Sequence, residues 1–325
     1  MKQNSIFSLR KCAFKSLHAL SHTLSPLERI IAKKWGEEGI RGYPPVFIVG
    51  APRSGTTLLY QVLSEKYHFS FLSNFVSHLY GAPILATYFA RHLGIKKDVE
   101  RFQSSYGQTT GLGSPSECGR FWYRCFPKGR RVYVGNDEIP RKNLQRLREA
   151  IGGIAYVIKA PGLYKNTFNS MRIAPLIQSI PEASFIVCKR DPLQNALSIL
   201  RARIQIHNDP TCWWSLPPRE FDQILSSPYS QQVVEQVYYI YNQIEIDKNV
   251  FGKERFLDIQ YEDFCHDVSA SLEKIASFLK KRNHPLFDFR DVPCSFPVRT
   301  VEAIDPLDRQ AVAKTIPKYF GGNYG

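Results

Sequence analysis

The chain lacks any CxxC pair. Its seven cysteines stand singly at Cys12, Cys118, Cys125, Cys188, Cys212, Cys265 and Cys294. An odd, scattered set argues against a disulfide scaffold and a thiolate zinc site, and predicts a reduced, cytoplasmic compartment. No run of about 18 apolar residues occurs, so no membrane-spanning helix is expected. Acidic residues are scarce: 29 Asp and Glu stand against 43 Lys and Arg, a net charge of +14. Such a surface attracts anions, whether a nucleotide, an acidic glycan or an anionic membrane face. Nucleic acid is not an expected partner, because no basic stripe interleaved with aromatics forms a recognisable module. There is no internal repeat. What remains is a chain of 325 residues, 43% hydrophobic and 22% charged, with the composition of a globular protein and the length for one large α/β domain.

The organising stretch is Pro45-Val-Phe-Ile-Val-Gly-Ala-Pro-Arg-Ser-Gly-Thr-Thr-Leu-Leu59. It predicts a strand, a phosphate loop and a helix. Gly50 and Gly55 have the spacing of a nucleotide triphosphate loop, and Thr57 fills its hydroxyl position. Thr56, however, replaces the lysine that grips the outer phosphates, and the loop's cation is Arg53. Backbone N–H groups at a helix start still favour an anion. The pattern therefore points to a nucleotide whose 5′-phosphate carries some other transferable group.

Before this stretch, residues 1–43 form a basic amphipathic segment, with Lys2, Arg10, Lys11 and Lys15 ahead of the first acid, Glu28, and apolar residues at Phe7, Phe14, Leu17, Leu20 and Leu24. Three roles fit it: a peripheral contact with an anionic membrane, a targeting peptide, or a helix packed on its own domain. Residues 44–325 are expected to form a single domain. There, Leu58–Tyr67 predicts a helix and His68–Leu72 a second strand, with Asn74 and His78 at its carboxyl end, as site residues or as turn and cap residues. A glycine-rich, aromatic loop spans 103–124. Within it Glu117 has two readings, the carboxylate of a helix capping box or a catalytic base. Ile154–Ile158 predicts a strand delivering Lys159 to the site, with Lys165 and Asn166 in support. Ala183–Cys188 is the clearest central strand. It leads to Arg190, then to Asp191 and Pro192 as the cap and first residue of a helix that carries Ser198. The Trp- and Pro-bearing stretch 209–230 predicts an irregular flap, Gln232–Lys248 a helix, Arg255–Ile259 a strand and Val268–Lys281 a helix. Alternating strands and helices define a doubly wound, mainly parallel α/β sheet flanked by helices, with a P-loop-like nucleotide site.

At these residues the chain resembles the sulfotransferases that use 3′-phosphoadenosine 5′-phosphosulfate. Pro52-Arg-Ser-Gly-Thr-Thr57 is similar to the family's 5′-phosphosulfate loop, and Arg190 with Ser198 is similar to its 3′-phosphate motif. Tyr261-Glu262-Asp263 resembles the motif whose tyrosine lies near the adenine, and Lys159 resembles the lysine after the third strand. The resemblance thus implies that Arg53, Ser54, Gly55, Thr56, Thr57, Arg190, Ser198 and Tyr261 hold the donor. It is closer to the PRSGTT carbohydrate and tyrosylprotein type than to the cytosolic type, whose histidine two residues beyond the lysine is here Pro161. The tyrosylprotein type's glutamate falls near Asn74, and no carboxyl-terminal lysine-glycine element is found, so Arg299, Lys314 and Lys318 are candidates for the third 3′-phosphate contact.

The chemistry so implied is in-line sulfuryl transfer to an acceptor hydroxyl of a glycan, lipid or small molecule, releasing adenosine 3′,5′-bisphosphate. Arg53 and Lys159 are expected to stabilise the leaving oxygen. Glu117 is the first choice of base, on the expectation of a partly dry aromatic pocket, and His78 the second. No metal is expected. The rivals are a small-molecule kinase on a variant loop and a non-catalytic protein that binds a nucleotide or acidic glycan.

Overall fold

The structure is a computed structural model that describes residues 2–97, 102, 109–129 and 132–321, with the side chains of residues 2–20 and 22 excepted. Residues 103–108 of the predicted loop, and the side chains of Phe7, Phe14, Leu17 and Leu20, lie outside that description. In chain order the elements are α1 (Lys2–Gly42), β1 (Val46–Val49), α2 (Thr56–Lys66), α3 (Asn74–His78), α4 (Pro83–His92), α5 (Gly119–Trp122) and α6 (Arg141–Ile158). They continue with β2 (Leu163–Lys165), α7 (Ile173–Ser179), β3 (Ser184–Lys189), α8 (Pro192–His207), α9 (Phe221–Ile224) and α10 (Tyr229–Phe251). The last are β4 (Phe256–Gln260), α11 (Tyr261–His266), α12 (Val268–Lys281) and α13 (Pro306–Phe320).

The four strands form one parallel sheet in the order β2-β1-β3-β4. Both faces are buried, as parallel sheets require, so each strand is apolar throughout and alternation sorts its residues between two cores. Phe47, Tyr164, Phe185 and Phe256 face one core, while Ile48, Leu163, Ile186 and Ile259 face the other. Register places the first four in a row across the sheet. Their ring centroids are 5.7 Å apart for Tyr164 and Phe47, 5.4 Å for Phe47 and Phe185, and 5.0 Å for Phe185 and Phe256. Each such pair adds about 0.5–1.5 kcal/mol beyond simple burial.

Helices cover both faces, so the expected doubly wound α/β architecture is present. β1, β3 and β4 lie where the apolar runs predict them. The run Ile154–Ile158 does not form a strand; it is the last part of the 18-residue helix α6. Leu147, Ile151, Ile154 and Ala155 recur at helical spacing and are buried, which decides the matter. The strand in this region is the three-residue β2. His68–Leu72 is extended but joins the sheet only through a single parallel bridge between Ser70 and Gly162.

α6 packs against α4 and the second half of α1. The crossing with α1 is so close that a Cβ on Gly39 would lie 1.8 Å from the Gly152 carbonyl oxygen, and one on Gly152 would lie 2.0 Å from that of Gly36. Ala32 and Ile40 of α1 enter the core. Glu28, also on α1, accepts from the N–H groups of Ile84 and Leu85 at 2.9 and 3.1 Å and so caps α4, whose own Ala82 offers no side-chain cap. Among the described residues no helix is long and apolar enough to cross a membrane.

Beneath the sheet, His284 joins β1 to β3: its ring nitrogens lie 3.0 Å from the Pro44 carbonyl oxygen and 2.7 Å from Ser184 Oγ. Burial, helped by the charge of Arg282, pushes this imidazole down to about 4.

Two outcomes are expected. Between pH 6.5 and 4 the unfolded chain binds the His284 proton and the folded chain does not, so stability falls as pH falls through that window, by on the order of 3 kcal/mol in all. Urea midpoints at pH 7 and pH 5 should therefore differ more in the wild type than in H284N. Separately, G39A should destabilise the fold by about 1–3 kcal/mol or more through overpacking, seen as a lower thermal midpoint.

Candidate active site

The strand order determines where a ligand can sit. From β1 the chain crosses to β2 on one side, and from β3 to β4 on the other, so a crevice opens at the carboxyl ends of β1 and β3. Every strand ends on a residue of that crevice or runs directly into one. Lys165 is the last residue of β2, the loop Gly50–Gly55 follows β1, Arg190 follows β3 and Tyr261 follows β4. They line one cavity of about 880 Å³.

The loop is held from behind. Gly50 N–H donates to Ser170 Oγ at 2.9 Å, and the same hydroxyl donates back to the Gly50 carbonyl at 2.9 Å. Asn195 Nδ2 donates to the Pro52 carbonyl at 2.6 Å. Gly55 has φ +95° and presses on Tyr261, so closely that a Cβ there would lie 2.3 Å from the ring. No other residue type fits this place. α2 then begins at Thr56, which lines the cavity with Thr57, leaving amide donors at the helix start for an anion. Ser54 is fully buried; its carbonyl accepts from Cys188 Sγ, and it does not line the cavity.

Arg190 gathers a second group of polar side chains in the cavity. Its guanidinium donates to the Arg53 carbonyl at 2.8 Å and to the Arg299 carbonyl, and lies 4.9 Å from the centre of the Tyr261 ring. Its Nε is buried without an acceptor among the described residues, a donor that an anion would satisfy. Ser198 Oγ accepts from Arg53 Nε at 3.1 Å, joining this group to the loop. Of the three candidates for a further contact, Arg299 lines the cavity, and its N–H donates to Tyr261 Oη at 3.2 Å; Lys314 and Lys318 do not line it.

Lys159 requires a correction. It is the exposed carboxyl-terminal cap of α6, with φ +60°, and lies outside the cavity, because the residues before it are helical. The lysine at the site is Lys165, 4% exposed, whose ammonium donates to Thr57 Oγ1 at 3.2 Å and pairs with the Glu117 carboxylate. Glu117 is not part of a capping box, since α5 begins only at Gly119, after Cys118 at the N-cap position, with no side-chain cap bond. Its second oxygen accepts from the Thr167 N–H at 3.3 Å, and its carbonyl accepts from Trp122 Nε1 and Asn166 Nδ2 at 2.9 and 3.1 Å. The carboxylate thus faces an ammonium and an amide, where a dry aromatic wall was expected.

His78 ends α3 and lines the cavity. Burial, and the nearby Arg120, hold its imidazole below the usual range, leaving it neutral at pH 7. Asn74 also lines the cavity, but its side chain donates to the Thr109 and Gly111 carbonyls at 2.9 and 2.8 Å and so shapes the neighbouring loop. Sequence reasoning passed over Arg201 and Gln205. Both line the cavity on the α8 face that carries Ser198, and helical spacing from Ser198 would have revealed them. Trp214, in the tryptophan-bearing flap, is also a wall residue.

Comparison with known proteins agrees with this geometry. The pattern of the sulfotransferase family matches residues 44–283. Two proteins called omega-hydroxy-beta-dihydromenaquinone-9 sulfotransferase Stf3, from Mycobacterium bovis and Mycobacterium tuberculosis, are each 22% identical over 283 residues, spanning 81% of this chain and 69% of theirs. The crystal structure of sulfotransferase STF9 from Mycobacterium avium aligns with 86% of this chain and 69% of its own at 14% identity, with a TM-score of 0.47. With most of its length matched by the family's pattern, this chain belongs to the sulfotransferase family.

Proposed function

We propose that the enzyme takes its sulfuryl group from 3′-phosphoadenosine 5′-phosphosulfate and passes it to an acceptor hydroxyl of a glycan, lipid or small molecule. The observation that carries this is the pair of anion sites in one cavity, the Arg53–Thr57 loop at the start of α2 and Arg190 with Ser198 and Arg299, with Tyr261 packed between them. Two separated phosphate sites suit a 3′,5′-bisphosphate nucleotide. Among the described residues the cavity walls present five cations, Arg53, Lys165, Arg190, Arg201 and Arg299, against one carboxylate, Glu117. That imbalance suits a multiply charged donor.

In the reaction the acceptor oxygen bonds to sulfur as the bond from sulfur to the nucleotide's bridging oxygen breaks. Negative charge builds on that leaving oxygen, where Lys165, Arg53 and the loop amides are positioned to stabilise it; removing one such donor typically costs roughly 100- to 1000-fold in rate. The acceptor proton passes to Glu117. Support for this base comes from its position: the residue two beyond Lys165, where the cytosolic type carries its histidine, is Thr167, and the Glu117 carboxylate rests on that residue's N–H. The contact between Lys165 and Glu117 gives the lysine two duties, at the leaving oxygen and in fixing the base. His78, neutral and in the same cavity, is the second candidate. Cytoplasmic location, with the amino-terminal segment against an anionic membrane face, belongs to the same proposal.

Adenosine 3′,5′-bisphosphate at 100 times its dissociation constant should stabilise the fold by about 2.7 kcal/mol in a thermal-shift assay. A shift with ATP and magnesium but none with the bisphosphate would overturn the donor assignment. E117Q should bind the bisphosphate as the wild type does and lose roughly 100- to 10000-fold in turnover. Wild-type turnover in a folded E117Q protein would pass the role to His78.

A further inference from the structure

Four of the five cavity cations have a place in the donor machinery. Arg53 bonds Ser198, Lys165 bonds Thr57 and Glu117, and Arg299 shares the Tyr261 and Arg190 end. Arg201 is different. It is half-buried in the cavity wall, and no hydrogen bond or ion pair engages its guanidinium among the described residues.

Arg201 follows Ser198 by about one turn on the same face of α8. The amino-terminal half of that helix lies along the phosphate loop, Asn195 reaching Pro52 and Ser198 reaching Arg53. At about 1.5 Å per residue, Arg201 lies roughly 4.5 Å and Gln205 roughly 10 Å farther along the axis, away from the loop contacts. Trp214 and Ser215 of the 209–230 flap line the same cavity.

That wall is built, not loose. Gln236 Nε2 donates to the Trp214 and Leu216 carbonyls at 3.1 and 2.8 Å. Arg203, fully buried, donates to Gln232 Oε1 at 2.8 Å and to Gln236 Oε1 at 3.4 Å, with Trp213 stacked 4.7 Å from its guanidinium carbon. The flap is therefore fixed from beneath by a buried polar network before any acceptor arrives.

We propose that Arg201, beside Trp214 and Gln205, is a recognition site for a negative group on the acceptor, so that the acceptor is a hydroxyl compound that carries its own acid group. This rests on the donor assignment above, which leaves Arg201 unused. A half-buried guanidinium in a cavity whose described lining holds one carboxylate favours an incoming anion by charge, and Trp214 adds an aromatic side chain to the same wall.

The test uses the full chain saturated with adenosine 3′,5′-bisphosphate and titrated, with tryptophan fluorescence as readout, with two hydroxy acids, 4-hydroxyphenylacetate and 12-hydroxydodecanoate, and with their methyl esters. The wild type should bind at least one acid about tenfold or more tighter than its ester, the scale of a charged hydrogen bond. In R201Q that preference should vanish while affinity for the bisphosphate stays within about twofold, and R201K should recover part of the preference. Equal binding of acid and ester, or no binding of either, overturns the proposal. So does a tenfold loss of bisphosphate affinity in R201Q, which would place Arg201 on the donor. A wild-type chain that fails to take up the bisphosphate removes the donor assignment itself, a result distinguishable from the others.

Discussion

The contact on which the site depends is the guanidinium of Arg190 against the backbone of the phosphate loop. One side chain holds the Arg53 carbonyl, holds the Arg299 carbonyl and lies over Tyr261, which in turn fills the space left by the missing side chain of Gly55. Four chain segments, distant in sequence, converge on it. Arg53 sits at φ +68°, a conformation costly for a residue with a side chain, and the bonds to its carbonyl and to Ser198 are what hold it there. Loop shape is thus maintained by a group that a lysine could not replace, since it lacks the planar fork.

The sheet explains why these groups can be brought so close. Parallel strands bring all their carboxyl ends to one side, and the reversal of direction between β1 and β3 leaves an opening there. Rigidity comes from below, where the row of Tyr164, Phe47, Phe185 and Phe256 crosses all four strands and His284 ties two of their starting ends. Lys165 belongs to this rigid frame as the last residue of β2, flanked by Tyr164 in the aromatic row. Its ammonium therefore approaches the loop from a strand, not from a mobile connection. Such preorganisation is what electrostatic stabilisation of a leaving oxygen demands.

Much of this was legible in the sequence, and the failures have identifiable physical causes. The loop, Arg190, Ser198 and Tyr261 announced themselves because glycines at a strand–helix turn and arginine before an Asp-Pro cap have few other uses. The misplacement of the lysine arose at Ile154–Ile158, where five apolar or aromatic residues after a Gly-Gly pair mimic a buried strand. Glycines inside a helix usually argue against it, yet here Gly152 permits the contact with α1 and Gly153 that with Ile84 of α4, interactions that no local pattern encodes. The real strand escaped notice because three residues are too few to show alternation. Glu117 was visible as a carboxylate but not as the partner of Lys165, since 48 residues separate them and only the fold brings them together. The anchoring of the flap by Arg203 was hidden for a similar reason: a fully buried arginine contradicts the expectation that charges lie outside.

The glycine crossing also acts as an index mark on the longest helix. Gly39 can meet Gly152 in only one rotational setting, because any other would drive a side chain into the backbone of α6. Glu28 lies eleven residues earlier, about three full turns, and therefore on the same face. The setting that seats the glycines is thus the one that delivers the Glu28 carboxylate to the start of α4. A single residue inserted between Glu28 and Gly36 would turn Glu28 by about 100° and leave α4 uncapped while Gly36 and Gly39 stayed in place. Along that stretch the spacing of residues is as constrained as their identity, so this part of the helix can tolerate substitutions on its outer face far better than any change of length.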